Sequence, residues 1–259
     1  MKKKIEIMDT TLRDGEQTSG MSFSKHEKLT ISKLLIQELK VDRIEVASAR
    51  VSEGEFQAVK SIIEWARSNN FEKKVEILTF IDNGISIDWI KRAGGKVQNL
   101  LSKGSLNHLK YQLKKTPKQH FEDIQKILLK AKKIDVDTNV YLEDWSNGMK
   151  NSKNYVFDFI DFLSNQSVKR ILLPDTLGVL NPSESYDFIN EVVIKYPEIH
   201  FDFHAHNDYD LSVANALEGL KAGCHGIHTT INGMGERAGN TPMASIVCLL
   251  YTSPSPRDS

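Results

Sequence analysis

Eight short apolar segments with strand character recur along the chain, and amphipathic segments separate them. The strand candidates span residues 4–11, 43–48, 75–80, 97–101, 138–144, 170–176, 200–207 and 226–232. Helical patterns lie between them, the clearest at 25–40, 117–133 and 210–223. Eight strand–helix units predict an α/β protein with the (β/α)8 TIM-barrel fold. An open doubly wound sheet is the alternative, but it would not need eight such regular units.

The length of 259 residues suits a single barrel domain, which we expect over residues 1–248. The eighth helix should begin within 240–250, but the prolines of "YTSPSPRDS" (251–259) are incompatible with its continuation. We therefore expect a barrel truncated within its eighth helix. Residues 249–259 are interpreted as a non-native or disordered tail.

Charge and composition narrow the class of partner. Lys+Arg and Asp+Glu both number 34, so nothing favours a nucleic-acid partner. No apolar run is long enough for a membrane span, and "MKKKIEIMDTT" lacks the apolar core of a signal peptide. The two cysteines, Cys224 and Cys248, fit a reducing compartment. We expect a soluble, cytoplasmic protein that binds neither nucleic acid nor membrane.

Polar residues collect where the strand candidates end. The active sites of barrel enzymes lie at the carboxyl ends of the strands, so this distribution predicts an active site there. The residues concerned are Arg13, Asp14, Glu143, Asp144, Asp175, Thr176, His204, His206 and Asn232.

The strongest local motif is "HAHND" (204–208). His204 and His206 are two residues apart on a strand, so both imidazoles point to one face, the barrel interior. Two neutral imidazoles on one face can bind a metal, although a hydrogen-bonded pair of core histidines has the same pattern. Asp14, both histidines and a further oxygen donor would suit a divalent ion with open positions for substrate and water.

Two further motifs leave alternatives open. Gly233, Gly235 and Gly239 in "INGMGERAGN" could form a phosphate-binding loop, or a turn that lets Asn240 reach a metal. In "VYLEDWSNG" (140–148), Glu143 shares one strand face with Tyr141. Glu143 is a candidate general base, or else a structural carboxylate paired with a cation. Two other strand carboxylates, Glu45 and Glu76, are interpreted as structural or supporting groups.

Five motifs occur in order along nearly the whole chain: "DTTLRDGEQ" (9–17), "GSLNHL" (104–109), "LLPDTLG" (172–178), "HAHND" (204–208) and "GMGERAGN" (233–240). Together they resemble the isopropylmalate/citramalate/homocitrate synthase family, which shares its barrel with hydroxymethylglutaryl-CoA lyase. The resemblance implies an acyltransferase that condenses acetyl-CoA, its co-substrate, with a 2-oxo acid. Within this family, the segments 44–56 and 140–148 resemble most the bacterial (R)-citramalate synthases.

The resemblance also implies roles for individual residues. Arg13 would stabilise the oxygen that becomes negative, Thr176 would help to hold the 2-oxo acid carboxylate, and Glu143 matches the position of the base. Independently of the resemblance, we expect Gln17 and Asp208 to support the site without touching the ion. The metal would be Mn²⁺, Mg²⁺, Zn²⁺ or Co²⁺, which such donors all tolerate. The implied ligands are Asp14, His204, His206 and Asn240.

The 2-oxo acid is predicted from the residues near the ends of strands 3, 4 and 5. Leu78, Leu101 and Tyr141 should form a closed apolar wall that suits the methyl group of pyruvate, giving (R)-citramalate for isoleucine biosynthesis. No cationic group is apparent there for the distal carboxylate that homocitrate synthesis requires. The alternative is 2-isopropylmalate synthase, which uses 2-oxoisovalerate in leucine biosynthesis, because a hydrophobic pocket discriminates only about 1–3 kcal/mol per methylene.

Two other functions compete with a synthase. Lyase relatives carry a cysteine in the loop that corresponds to "GMGERAGN", and this loop has none. A catalytically incomplete fragment that binds metal and 2-oxo acid is the third possibility. Synthases of this family carry a linker and a regulatory domain after the barrel, and this sequence includes neither. In the family a linker residue from the partner subunit completes the site, so we expect the full-length protein to be a homodimer.

Overall fold

Eight parallel strands close into a barrel in the order of the chain. The computed structural model describes residues 5–252. Each strand pairs with the next, and β1 pairs with β8 to complete the closure. The TIM-barrel prediction is therefore confirmed. The strands are β1 Glu6–Asp9, β2 Arg43–Ser48, β3 Val75–Phe80, β4 Val97–Lys103, β5 Asp137–Glu143, β6 Arg170–Asp175, β7 Phe201–Ala205 and β8 Gly226–Thr229.

Helices connect the strands and cover the barrel. Their first turns carry the signals that the sequence provides: Ser24, Thr116 and Asn181 each form a capping box, and prolines occupy the first helical turn at 117 and 182. The helices are α1 Lys25–Lys33, α2 Glu53–Ser68, α3 Ile85–Ala93, α4 Leu106–His108, α5 Pro117–Lys133, α6 Trp145–Asn151, α7 Lys153–Ser164, α8 Pro182–Lys195, α9 Ser212–Lys221 and α10 Met243–Thr252.

The pattern at 25–40 predicts one amphipathic helix, but α1 ends at Lys33 and continues as a π-helical turn, Leu34–Glu38. The wider turn breaks the 3.6-residue spacing. Leu34 and Leu39 are therefore 51% and 56% exposed, whereas Leu35 is buried. The π-helical turn therefore interrupts the single helix that the sequence predicts over 25–40.

The buried side of α1 carries a lysine instead. The Lys28 ammonium group is buried between α1 and the barrel, 2.7 Å from a carboxylate oxygen of Glu16, and it also pairs with Glu55. It donates hydrogen bonds to the carbonyl oxygens of Leu12 (3.0 Å) and Val46 (3.3 Å). Lys28 therefore ties α1 and α2 to the segment that follows β1.

The last helix, α10, runs to Thr252, so residues 249–252 of the predicted tail are helical. The remainder of that tail, 253–259, and Lys4 of the first strand candidate lie outside the described residues. The domain boundary at 248 thus stays a prediction. No helix within residues 5–252 is long and apolar enough to cross a membrane.

Candidate active site

A carboxylate and two imidazoles meet at the carboxyl end of the barrel. His204 Nε2 lies 3.0 Å from Asp14 Oδ2, and His206 Nε2 lies 4.0 Å from the same oxygen. The two Nε2 atoms are 3.4 Å apart, and all three side chains are buried. One ligand atom from each residue fits within 4.8 Å of the others, which is a spacing that a single metal ion can bridge.

Local structure explains this convergence. Asp14 follows β1 in a tight turn, where its backbone N–H donates to the Thr10 carbonyl oxygen at 2.8 Å. His204 lies on β7 and His206 directly after it, so the two-residue period of a strand turns both rings inward. The two segments therefore bring their donors to the same end of the lumen.

The electrostatics suit metal ligands. Burial lowers the pKa of both His204 and His206 to about 4, so both imidazoles are neutral and carry a free lone pair at neutral pH. Burial opposes the charge of Asp14, but Arg13 and His204 hold the pKa of Asp14 well below its usual range. One anionic and two neutral donors therefore face each other.

Asn240 adds a fourth side chain. Its amide nitrogen lies 2.8 Å from Asp14 Oδ2 and 3.3 Å from His204 Nε2, while its amide oxygen is buried without a hydrogen-bond partner. Exchanging the two amide atoms by a rotation would turn the oxygen toward the other donors. The unpaired oxygen, with Asp14 Oδ1 also lacking a hydrogen bond, fits a site that holds a divalent cation.

The glycine-rich turn places Asn240. A Cβ on Gly235 would lie 1.8 Å from Asn240 Oδ1, and a Cβ on Gly239 would lie 2.0 Å from the Gly233 carbonyl oxygen. The glycines therefore let the turn close tightly around the asparagine. Of the two interpretations of "INGMGERAGN", this geometry favours the turn that presents Asn240. The preceding Asn232 is exposed, so it does not join the other predicted polar residues.

Arg13 lies beside this cluster in a fixed orientation. Its Nε donates to Glu45 at 2.5 Å, and its Nη1 lies 3.4 Å from Asp14 Oδ1. Glu45 is itself buried and accepts a 2.6 Å hydrogen bond from Asn99. Burial raises the pKa of Glu45, and the Arg13 charge opposes that shift. Glu45 therefore supports Arg13, in agreement with its interpretation as a supporting group. The remaining N–H groups of the Arg13 guanidinium can donate hydrogen bonds into the cavity that Arg13 lines.

A cavity of about 220 Å³ opens next to this cluster. One wall is apolar: Leu78, Tyr141 and Leu172 form a buried cluster, and Phe80 and Leu101 pack against it. The cavity is lined by Arg13, Asp14, Gln17, Ser48, Leu78, Phe80, Leu101, Tyr141, Glu143, Pro174, Thr176, His204, His206 and Glu236.

A family model described as "HMGL-like" matches residues 4–258 of the sequence. The chain belongs to the HMGL-like family. It is 34% identical over 258 residues to the 2-isopropylmalate synthase of Sulfurisphaera tokodaii and over 257 residues to that of Pyrococcus furiosus. The matches cover 96% of this chain but only 62% and 50% of those two relatives. The chain thus spans about half to three fifths of their length.

Solved structures show the same fold for this HMGL-like chain. The hydroxymethylglutaryl-CoA lyase of Bacillus subtilis superposes with a TM-score of 0.80 at 18% identity, covering 96% of this chain and 86% of the lyase chain. The carboxyl transferase domain of Rhizobium etli pyruvate carboxylase superposes with a TM-score of 0.75 at 14% identity, covering 99% of this chain and 44% of that chain.

Glu143 of this HMGL-like barrel is paired with a cation, as one of its two sequence interpretations expects, although the sequence patterns did not identify the partner. Lys103 is its register partner across β4 and β5, and the ammonium group forms an ion pair with the Glu143 carboxylate. His108 Nδ1 lies 3.9 Å from the same carboxylate. The predicted strand ended at Leu101, so the next inward position, Lys103, was missed, although two-residue alternation would have indicated it.

The remaining predicted residues lie around the rim. The Thr176 hydroxyl accepts a 2.8 Å hydrogen bond from the Asp144 backbone N–H, which leaves its own hydrogen for another acceptor. Asp208 holds Arg237 through two hydrogen bonds of 2.8 and 2.9 Å, and Arg237 donates to the Thr176 carbonyl oxygen at 2.7 Å. Gln17 is exposed, and it lines the cavity mouth.

His228 on β8 is a buried neighbour of the site that the sequence analysis did not single out. Its Nδ1 lies 3.2 Å from His204 Nδ1 and 3.1 Å from the Tyr141 hydroxyl, and its Nε2 lies 3.2 Å from Asp202 Oδ2. Asp202 in turn accepts a 2.5 Å hydrogen bond from Arg43. A polar chain therefore connects the base of the lumen to His204.

Proposed function

We propose that the chain is the catalytic barrel of an enzyme that condenses acetyl-CoA with pyruvate to give (R)-citramalate and CoA. One observation carries the proposal: four potential metal ligands and Arg13 stand at one side of a small cavity whose other side is an apolar wall. A 2-oxo acid fits both sides of this cavity. Its carboxylate and keto oxygen can bind to cations on one side, and the methyl group of pyruvate can pack against the apolar wall on the other.

The residues divide the chemistry between them. A divalent cation bound by Asp14, His204, His206 and Asn240 would act as a Lewis acid toward the keto oxygen. The Arg13 guanidinium, fixed by Glu45, donates hydrogen bonds to the oxygen as it becomes negative.

Thr176 and Glu143 complete the reaction. The Thr176 hydroxyl accepts its hydrogen bond from Asp144 and so donates its own hydrogen to the substrate carboxylate. The Glu143 carboxylate takes a proton from the methyl group of acetyl-CoA, and the resulting carbanion attacks the keto carbon. The ion pair with Lys103 fixes the Glu143 carboxylate at the cavity wall. The alkoxide formed at the keto carbon gains a proton, and Glu143 loses the one that it took. Water then hydrolyses the thioester, so that the acyl carbon becomes a carboxylate and CoA leaves as the thiol.

The choice of 2-oxo acid rests on the apolar wall. Leu78, Leu101 and Tyr141 come from three adjacent strands and line one side of the cavity, where we expect them to leave little room for a branched substituent. The names of the relatives favour 2-oxoisovalerate instead, so 2-isopropylmalate synthase is the second candidate. In either case we propose that the full-length protein acts as a homodimer.

Binding and turnover can be measured separately. Calorimetry with Mn²⁺ and then pyruvate should show cation-dependent binding of pyruvate to this chain, and a thiol assay with acetyl-CoA should show CoA release that depends on pyruvate. Binding without CoA release would support a metal-dependent 2-oxo acid binder. Stronger binding of 2-oxoisovalerate than of pyruvate would support the isopropylmalate synthase.

Substitution of the wall tests the specificity. Leu101→Ala or Leu78→Ala should enlarge the cavity and shift the binding preference toward 2-oxobutyrate or 2-oxoisovalerate by about ten- to a hundredfold, because each methylene is worth about 1–3 kcal/mol. Leu129→Ala, on the exposed side of α5, is the matched control and should leave the preference unchanged. An unchanged preference in both wall variants would contradict the assignment of pyruvate.

A further inference from the structure

His228 Nδ1 lies between two groups that can donate a hydrogen bond: the Tyr141 hydroxyl, and His204 Nδ1 when that nitrogen carries the ring proton. It lies 3.2 Å from His204 Nδ1 and 3.1 Å from the Tyr141 hydroxyl oxygen, and all three side chains are buried. A neutral imidazole has one lone pair, on the ring nitrogen that carries no proton. The two neighbours therefore compete for one acceptor if His228 carries its proton on Nε2.

The contact with Asp202 determines which ring nitrogen of His228 carries the proton. The Asp202 carboxylate accepts a 2.5 Å hydrogen bond from Arg43 and lies 3.2 Å from His228 Nε2. A carboxylate only accepts hydrogen bonds, so the His228 nitrogen that faces it must be the protonated one. Nδ1 of His228 is consequently the acceptor.

The protonation of His204 depends on what its other nitrogen contacts. Without a cation, Nε2–H can donate to Asp14 Oδ2 at 3.0 Å, and the Tyr141 hydroxyl can donate to His228. When Nε2 binds a cation, it must give up its proton, so the proton sits on Nδ1. The acceptor nearest to that N–H is His228 Nδ1.

We propose that His228 is a positioning residue that couples cation binding at His204 to the orientation of the Tyr141 hydroxyl. When a cation binds His204 Nε2, the His204 Nδ1–H donates to His228 Nδ1 in place of the Tyr141 hydroxyl. The Tyr141 hydroxyl then donates to a ligand in the cavity that Tyr141 lines. No proton is gained or lost, because it moves between the two nitrogens of one ring. The inference rests on the cation site of the proposed function.

Nitrogen NMR of histidine-labelled protein observes the proton directly. After one equivalent of Zn²⁺, a diamagnetic ion, the His204 Nδ1 signal should become pyrrole-like and its Nε2 signal should shift as a metal ligand does. The His228 Nε2 signal should be pyrrole-like with and without Zn²⁺. A pyridine-like His204 Nδ1 in the Zn²⁺-loaded protein would overturn the inference.

Tyr141→Phe gives a second and less intuitive test. Because the hydroxyl competes with His204 for one acceptor, its removal should tighten Mn²⁺ binding, measured by calorimetry without substrate, by about two- to tenfold. The same variant should bind pyruvate more weakly. Unchanged or weaker Mn²⁺ binding would contradict the coupling, since a purely structural role of the hydroxyl predicts no gain.

Substitution of His228 provides the matched pair. His228→Leu removes the acceptor and should weaken Mn²⁺ binding by about ten- to a hundredfold. His228→Asn keeps an acceptor near Nδ1 and should restore most of the affinity, with thermal unfolding reporting whether both variants fold. Equal affinities in both variants and the wild type would overturn the inference alone. A wild-type chain that binds neither ion would overturn the proposed function, and the inference with it.

Discussion

Asp14 shows how neighbouring charges keep a buried carboxylate ionised, which is the form that can bind a metal. Burial by itself would favour its neutral form, but the Arg13 guanidinium at 3.4 Å and His204 keep it ionised. The neighbouring imidazoles are kept neutral by their own burial. Each donor therefore has the protonation state that a divalent cation requires.

Asp14→Asn should weaken Mn²⁺ binding by more than about a hundredfold, because it removes the single anionic donor of the cluster, whereas loss of a supporting partner costs about ten- to a hundredfold. His204→Ala should have a similar effect. Asp135→Asn is the control: this aspartate is exposed, and its positive φ of 57° suits asparagine equally well. Calorimetry measures all three, and full Mn²⁺ affinity in Asp14→Asn would disprove the site.

Among the elements, the turn between β8 and α10 depends on the absence of side chains. Gly235 and Gly239 allow the backbone to fold tightly around Asn240. The Asn240 amide then contacts Asp14, which follows β1, and His204 on β7. The contact with Asp14 crosses the closure of the barrel, where β8 pairs with β1.

Gly235→Ala should displace Asn240, because the new Cβ would lie 1.8 Å from its amide oxygen. We expect weaker Mn²⁺ binding by about tenfold or more, because the strain falls on the buried turn that presents Asn240, and the melting temperature reports whether the fold is retained. Gly54→Ala, where the nearest atom is 3.7 Å away within α2, should leave Mn²⁺ binding unchanged. Normal binding by Gly235→Ala would show that Asn240 is not a ligand.

The end of β4 is fixed by a buried histidine of α5. His120 Nε2 accepts a 3.2 Å hydrogen bond from the Lys103 backbone N–H, and burial lowers the pKa of His120 to about 4. An unfolded chain would protonate this imidazole at about pH 6.5. In the window between pH 6.5 and 4 the unfolded state therefore binds more protons, and stability falls as the pH falls.

His120→Gln keeps an acceptor for Lys103 but removes this titration. Between pH 7 and pH 5, the wild type should lose about 2 kcal/mol more of its free energy of unfolding than the variant, because each pKa unit corresponds to about 1.4 kcal/mol. Urea unfolding at both pH values measures the difference. An equal loss in the two proteins would mean that His120 is protonated in the folded state.

At the scale of the whole molecule, an ionic cluster joins strands from opposite sides of the lumen. Arg43 of β2 contacts the carboxylates of Glu6 on β1, Glu76 on β3 and Asp202 on β7 at 3.0, 3.3 and 2.5 Å. The guanidinium is buried, and Glu76 and Asp202 are buried with it. The cluster lies below the candidate site and reaches it through His228.

Arg43→Met should destabilise the chain by about 3–5 kcal/mol, because it leaves buried carboxylates without their cation. Arg50→Met is the control: Arg50 forms one exposed ion pair, with Asp82, and should cost at most about 1 kcal/mol. If Arg43→Met does not fold, Arg43→Lys replaces it in the comparison. Because Arg43→Lys retains the positive charge, its loss of stability should lie between the costs expected for Arg43→Met and Arg50→Met. Urea unfolding ranks the three, and similar costs for Arg43→Met and Arg50→Met would contradict the role of the cluster.

Local periodicity by itself determined the barrel and much of its mouth. Few folds accommodate eight strand segments separated by helical ones. The alternation of side chains along a strand indicated which residues face the lumen, namely His204, His206, Leu78 and Tyr141. The same alternation would have indicated Lys103 if β4 had been extended by one inward position.

Only the tertiary structure decided which inward residues meet. Arg43 and Asp202 are 159 residues apart in the chain, and Tyr141 and His228 are 87 apart. Their contacts depend on the stagger of the strands around the closed barrel, which strand periodicity does not specify. The burial of Lys28 on α1 was not predictable from the sequence for a related reason. A charged side chain in an amphipathic pattern predicts exposure, and the carboxylates that compensate Lys28 come from the β1–α1 connection and from α2.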